Sequence, residues 1–279
     1  MPVLEVFQSM WAMERRRPDG LEWALGEKIA MIAEAGYDGV DIVSSDPIAA
    51  DIGPLLRQAR LAATVTAFPK CADDLQPAID LALSLEARHL NIIGQVYPYT
   101  VAEGARYVRA WLSAAERAGL KVTIETHRDC ITTDMLYTLQ LMEAVPEMRI
   151  CADLSHFVVG REFTWPIADE VHAQIQRVLD RADAFQGRIG TREQIQVPIA
   201  FPQHAKWVAL FQGWWRRGFA SWRKRAGPED RLNFLCELGP RDYAITGADG
   251  YELSDRWEEA LAIKGFAQEI WAELEAEAR

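Results

Sequence analysis

The chain has 279 residues, enough for one large domain or two small ones, and 49% of them are apolar and 25% charged, as in an ordinary water-soluble globular protein. Its formal net charge of −11 repels phosphate backbones and anionic headgroups, so neither nucleic acid nor a membrane surface is an expected partner. No run approaches the roughly 18–20 apolar residues of a spanning helix.

Taken in chain order, short β-type runs alternate with longer helical ones. MPVLEVFQSMW lacks a basic region ahead of a long apolar run, so no secretory leader is expected there, and VLEVF (3–7) reads as the first strand. LEWALGEKIAMIAEAG follows with helical spacing and a stop at Gly36. DGVDIV (38–43), PIAADIGPLLRQAR, AATVTAF (62–68), DLQPAIDLALSLEA, HLNIIG (89–94) and AEGARYVRAWLSAAERAG continue the alternation. KVTIETH (121–127), TTDMLYTLQLMEAV, MRICADL (148–154), a helix near 166–181, DAFQGRIG (183–190), an aromatic-rich helix near 203–225 and LNFLCELG (232–239) come next, and DRWEEALAIKGFAQEIWAELEAEA closes the pattern. Thr132 and Asp255 have the chemistry of helix N-caps.

Eight strand-then-helix units spread over residues 1–279 predict a single (β/α)8 barrel of the TIM type, in the α/β class. A doubly wound open sheet is the alternative, but no GxGxxG follows the first strand. The irregular stretch 191–203 follows the seventh strand at the end where barrel active sites lie. Cys71, Cys130, Cys151 and Cys236 form no CxxC pair, which fits reduced thiols in a cytoplasmic protein. Trp207, Leu210, Phe211, Trp214 and Trp215 recur at helical spacing, so this segment reads as a helix packed on the barrel or on a second copy, with a basic solvated face; a homo-oligomer is compatible with it.

Alternate strand residues point into a barrel, and those at the C-terminal strand ends face a substrate. On that rule Glu125 and His127 share the inner face of the fifth strand, and Asp153 ends the sixth with His156 in the next turn. Gln186 and Arg188 share a face of the seventh strand, and Glu237 ends the eighth. Each residue alone has a bland reading as a cap, salt-bridge or loop residue. Three carboxylates at corresponding ends would repel one another unless a cation relieved them, and Mg²⁺ or Mn²⁺ suits carboxylate and amide oxygens. Such a site fits proton abstraction next to a carbonyl through an enediolate. Trp11, after the first strand, is placed to wall the pocket of a sugar-like small molecule, and Arg188 or Arg192 to take an anionic group.

The motifs I-E-T-H, A-D-L-S-H, R-I-G and C-E-L-G-P, in this strand order, resemble the xylose isomerase-like barrels, the sugar phosphate isomerase/epimerase superfamily. That group includes ketose 3-epimerases, hydroxypyruvate isomerases, inosose dehydratases and apurinic endonucleases. The resemblance implies one divalent ion held by Glu125, Asp153, Gln186 and Glu237, with Glu125 and Glu237 as the acid/base pair and His156 on the substrate; His127, Arg188, Arg192 and Trp11 are the further substrate-binding candidates. The chain departs from the epimerase pattern at Gln186, where that pattern has His, which puts the metal's identity and retention in question. The expected activity is a sugar or polyol isomerase or epimerase. A lyase or dehydratase on the same site is the alternative, and a non-catalytic ligand-binding barrel the third reading. An endonuclease is disfavoured by the acidic charge and by only five histidines.

Overall fold

The computed structural model describes residues 1–17 and 19–278. Eight parallel strands close in sequence order into a barrel: β1 (Val3–Ser9), β2 (Gly39–Val43), β3 (Ala62–Ala67), β4 (Leu90–Ile92), β5 (Val122–Glu125), β6 (Ile150–Ala152), β7 (Ala182–Gln186) and β8 (Arg231–Cys236). Closure pairs β1 with β8 from Val3↔Arg231 to Gln8↔Cys236, which excludes the open-sheet alternative. All eight predicted strands are present. The helices are α1 (Leu25–Glu34), α2 (Ile52–Ala59), α3 (Gln76–Ser84), α4 (Val101–Arg117), α5 (Met135–Ala144), α6 (Leu154–Gly160), α7 (Asp169–Leu179), α8 (Ala205–Arg223) and α9 (Arg256–Glu277).

Two local expectations change. The turn expected after β6 is the short helix α6, which Asp153 caps by accepting from the Ser155 amide at 3.0 Å. Thr132 caps no helix; the N-cap of α5 is Asp134, which accepts from the Tyr137 amide at 2.7 Å. Thr132 is buried instead, where its hydroxyl donates to the Glu125 carbonyl at 2.5 Å and accepts from the His127 amide at 3.1 Å. It therefore ties the β5–α5 loop to the end of its strand. Asp255 caps α9 as expected, accepting from the Trp257 amide at 2.8 Å.

The strand pleat sorts side chains into two environments. Val40, Ile42, Val65, Leu90, Ile92, Ile124, Ile150, Phe185 and Phe234 point outward into the apolar shell beneath the helices. On α8, Trp207, Phe211, Trp214, Trp215, Phe219 and Trp222 are buried, and Trp215 and Phe219 meet the Phe234 ring edge-on. The aromatic content of α8 is thus accounted for within one chain, while Arg216 on its outer face pairs with Glu273 of α9 at 2.7 Å. Trp215→Ala would cost about 3–5 kcal/mol as a large-to-small core change.

The opposite parity lines the barrel interior and is unusually polar. Glu5, Asp41, Thr64, Thr66, Asn91, Thr123, Glu125, Gln186 and Asn233 are all buried. Isolated buried polar groups cost free energy, so these must satisfy one another. Many do: Thr64 and Thr66 donate to the Asp41 carboxylate at 2.7 and 3.0 Å, and Thr123 donates to Asn91 Oδ1 at 3.1 Å. None of the described helices is long and apolar enough to cross a membrane, and all four cysteines are free.

Candidate active site

The C-terminal strand ends bring the predicted acids together. Glu125 is the last residue of β5 and Gln186 the last of β7, while Asp153 and Glu237 each lie one residue beyond β6 and β8. Carboxylate oxygens of Glu125, Asp153 and Glu237 all lie within 4.8 Å of one another. Glu125 and Asp153 are 1% and 0% exposed. Glu237 is the most accessible of the three, with 17% of its side chain exposed.

Glu125 Oε2 accepts from Gln186 Nε2 at 3.0 Å and, at very short range, from Asn91 Nδ2. Its other oxygen, Oε1, is buried without a hydrogen-bond partner. Asp153 repeats the pattern: Oδ1 accepts from the Ser155 hydroxyl at 2.5 Å and the Ser155 amide, while Oδ2 has no hydrogen-bond donor. Gln186 Oε1 is likewise bare. Three buried oxygens at one place therefore lack donors, in a protein whose interior otherwise pairs most such groups. A proton or a cation satisfies such a set.

Electrostatics agree with that need. Burial, then repulsion from Glu237 and Asp153, pushes the Glu125 carboxyl well above the usual range, against the lowering by Asn91 and Gln186. Burial raises Asp153 although Arg188 opposes it, and burial raises Glu237 against the same arginine. Arg188 is 1% exposed; its Nη2 lies 2.5 Å from Glu237 Oε2 and its Nε 3.5 Å from Asp153 Oδ2. Burial opposes its charge, but Glu237 and Asp153 outweigh that and hold it protonated.

The histidines sit on one side of this cluster. His156 Nε2 is 3.5 Å from Asp153 Oδ2 and Nδ1 accepts from the Arg128 amide at 3.1 Å, so the backbone fixes the ring. The His127 ring centre is 3.9 Å from that of His156. Burial lowers His127 to about 4, and burial with its cationic neighbours lowers His156 well below the usual value, so both rings are neutral at pH 7. Ligand atoms of Glu125, His127 and His156 also lie within 4.8 Å of one another, a second triad sharing Glu125. The parity rule placed His127 on the strand; β5 in fact ends at Glu125, and the following loop carries the ring to His156.

Trp11 lies on the single turn after β1, edge-on to Tyr243 at 5.1 Å. Arg188 lies 5.9 Å from the Trp11 ring centre and 5.0 Å from that of Tyr243. Gly239 allows this closeness, because a Cβ there would stand 2.5 Å from the Trp11 ring. Arg192, by contrast, is engaged in its loop by Glu162 at 3.3 Å and Glu193 at 2.8 Å. Sequence reasoning missed Asn91 and Tyr243. Asn91 could have been found as the inward residue of β4, by the parity applied to the later strands. Tyr243 lies in an irregular segment with no periodicity to read.

No protein-family profile matches the chain, and no curated protein matches it by sequence. Solved structures do match over nearly the whole fold. A xylose isomerase-like TIM barrel protein from Mycobacterium smegmatis, in complex with magnesium, aligns with a TM-score of 0.61 at 15% identity, over 96% of this chain and 97% of that one. A D-allulose 3-epimerase from Methylomonas sp., in complex with D-allulose, aligns at 0.60 and 15% identity over 98% of each chain. The probable 3-DHS dehydratase from Bacillus anthracis aligns at 0.57 and 13% identity, over 84% of this chain and 93% of that one. At these identities the likeness is one of fold: the chain shares its closed (β/α)8 barrel with these xylose isomerase-like structures.

Proposed function

We propose that this protein is a divalent-metal-dependent isomerase or epimerase of a sugar or related polyol. The observation that carries the reading is the trio of bare, buried oxygens, Glu125 Oε1, Asp153 Oδ2 and Gln186 Oε1, beside the Glu237 carboxylate. These donors fit a hard ion such as Mg²⁺ or Mn²⁺, and an amide oxygen serves such an ion where imidazole would favour a softer one. Glu125, Asp153, Gln186 and Glu237 are the proposed ligands. When bound, the ion supplies positive charge to the oxyanion that develops on proton removal.

The residues divide the remaining work. Glu237, the accessible carboxylate, takes the proton next to the substrate carbonyl, and Arg188 at 2.5 Å fixes its orientation. Glu125 is the second acid/base group, held in place by Asn91 and Gln186. His156, neutral and fixed through Nδ1, keeps its bare Nε2 for a substrate hydroxyl, with the His127 ring tilted against it. Trp11 and Tyr243 wall the site against water beside Arg188. Four free thiols support a cytoplasmic setting.

A dehydratase on the same site is the second reading. The likeness to the probable 3-DHS dehydratase, at a TM-score of 0.57 over 84% of this chain, supports it. The test is elemental analysis of wild type and Asp153→Ala, followed by keto-sugar turnover in deuterated water. About one ion per chain, lost in the variant, with deuterium entering the sugar without loss of water, is the expected result. Loss of water with metal retained selects the dehydratase. Failure to take up any added divalent ion rejects the metal reading and leaves a binding barrel.

A further inference from the structure

Two guanidinium groups converge on Tyr243. Arg188 and Arg128 each lie 5.0 Å from its ring centre, one from the β7 end and the other from the β5–α5 loop. Arg188 Nε lies 3.5 Å from Asp153 Oδ2 and the Arg128 amide donates to His156 Nδ1 at 3.1 Å, so both residues adjoin the carboxylate cluster. Arg188 pairs through Nη2 with Glu237 and through Nε with Asp153. Arg128 has no ion-pair partner among the described residues, and Asp129 beside it faces the Tyr97 hydroxyl at 2.9 Å instead. Arg188, although 1% exposed, keeps Nη1 without any hydrogen-bond partner. A buried, charged N–H left bare is costly, and a ligand oxygen would satisfy it.

The charge count points the same way. Three ligating carboxylates, two guanidiniums and a divalent ion leave one net positive charge. One negative charge on the substrate balances that excess, whereas a phosphate dianion overshoots it. We infer that the substrate carries a carboxylate, received by Arg188 Nη1 and Arg128 beside Tyr243, so that the enzyme acts on a sugar acid rather than a neutral sugar. The charge count rests on the metal-site reading; the two converging arginines do not.

The test compares ligands that differ at one end. Gluconate and glucitol share a carbon chain and differ only in a carboxylate against a hydroxymethyl group; glucitol 6-phosphate supplies the dianion. Binding is read by quenching of tryptophan fluorescence, with Mg²⁺ and again in EDTA, beside an independent measurement of metal content. Gluconate is expected to bind at least about tenfold tighter than glucitol, as a charge-assisted contact would give. That ratio should fall toward one in Arg128→Gln and be partly kept in Arg128→Lys; Arg128 is exposed, so both variants fold. Equal affinity, or no measurable binding of either ligand, overturns the inference. Tighter binding of glucitol 6-phosphate than of gluconate overturns the carboxylate assignment. A protein that takes up its ion yet shows no gluconate preference keeps the metal reading and loses this one. A preference that persists in a protein taking up no ion does the reverse.

Discussion

At the N-terminal mouth of the barrel, Glu5 receives Arg231 at 2.7 Å and Arg88 at 3.2 Å, and Asp183 receives Arg225 at 2.6 Å and Arg149 at 3.6 Å. At the C-terminal mouth, Asp153 and Glu237 share the buried Arg188 with Glu125 close beside them, and Glu125, Asp153 and Gln186 each keep a bare oxygen. The N-terminal mouth also holds a cavity of about 460 Å³, lined by these paired groups. The lesson is that pairing separates the two ends and space does not. Acids matched to cations hold a fold together, whereas acids crowded beyond their partners store unfavourable energy that a ligand or ion can release.

Several substitutions would break or sharpen this contrast. The largest effect is expected from Glu237→Gln, which should lower kcat by about a thousandfold, within the range of general-base loss. Its metal-free melting temperature should hold or rise, because one repelling charge is gone; a wild-type rate in steady-state assays would sink the assignment of Glu237. Next, Mg²⁺ at a hundred times its Kd should stabilise the protein by about 2.7 kcal/mol through binding the folded state alone, read as a calorimetric rise that EDTA reverses. Asn91→Ala removes a donor from Glu125 and should cost about 10–100-fold in metal affinity or activity, as loss of a ligand's support does. Unchanged metal titration and unchanged rate would make Asn91 a packing residue only.

Smaller effects test the N-terminal end and the barrel interior. Glu5→Gln should lower stability by about 1–2 kcal/mol in urea denaturation, since both arginine partners are half-exposed and water screens them. Catalysis should be untouched, and a loss of activity would dissolve the contrast between the two ends. Asp41, one layer below the site, is raised from 3.8 to about 7 by burial, with Glu237 adding to the shift and Thr64 and Thr66 opposing it. Between those values the folded state keeps a proton that the unfolded state has lost, so Asp41 removes stability as pH rises from about 4 to 7. Histidines buried neutral act with the opposite sign, so the difference between wild type and Asp41→Asn isolates this group. The variant's advantage should grow across that window and level off above it; a pH-independent difference would show that Asp41 is ionised throughout.

Much of this architecture was legible before any coordinates. The alternation of Val- and Ile-rich runs with helical stretches predicted eight strands and their closure, because strand and helix periods are properties of local sequence. Parity then put Glu125, Gln186, Asp153 and Glu237 at one end; the three carboxylates do meet there, and Gln186 joins them through its hydrogen bond to Glu125. Local chemistry failed where two residues compete for one role. Both Thr132 and Asp134 can cap α5, and Asp134 does so, because Thr132 is drawn to the Glu125 carbonyl at the strand end.

What periodicity determined is which side of each strand a residue occupies and which end of the barrel it reaches. What only the tertiary structure decided is how charge is shared across strands far apart in the chain. Arg188 joins Asp153 to Glu237, Asn91 and Gln186 clamp the same oxygen of Glu125, and Arg128 meets Arg188 through Tyr243. These distances depend on the stagger of neighbouring strands and on the paths of loops, which no local pattern encodes. Whether a buried acid is satisfied or left bare follows from that geometry alone, because hydrogen bonds and unscreened charges act over a few ångströms in space and are blind to separation along the chain.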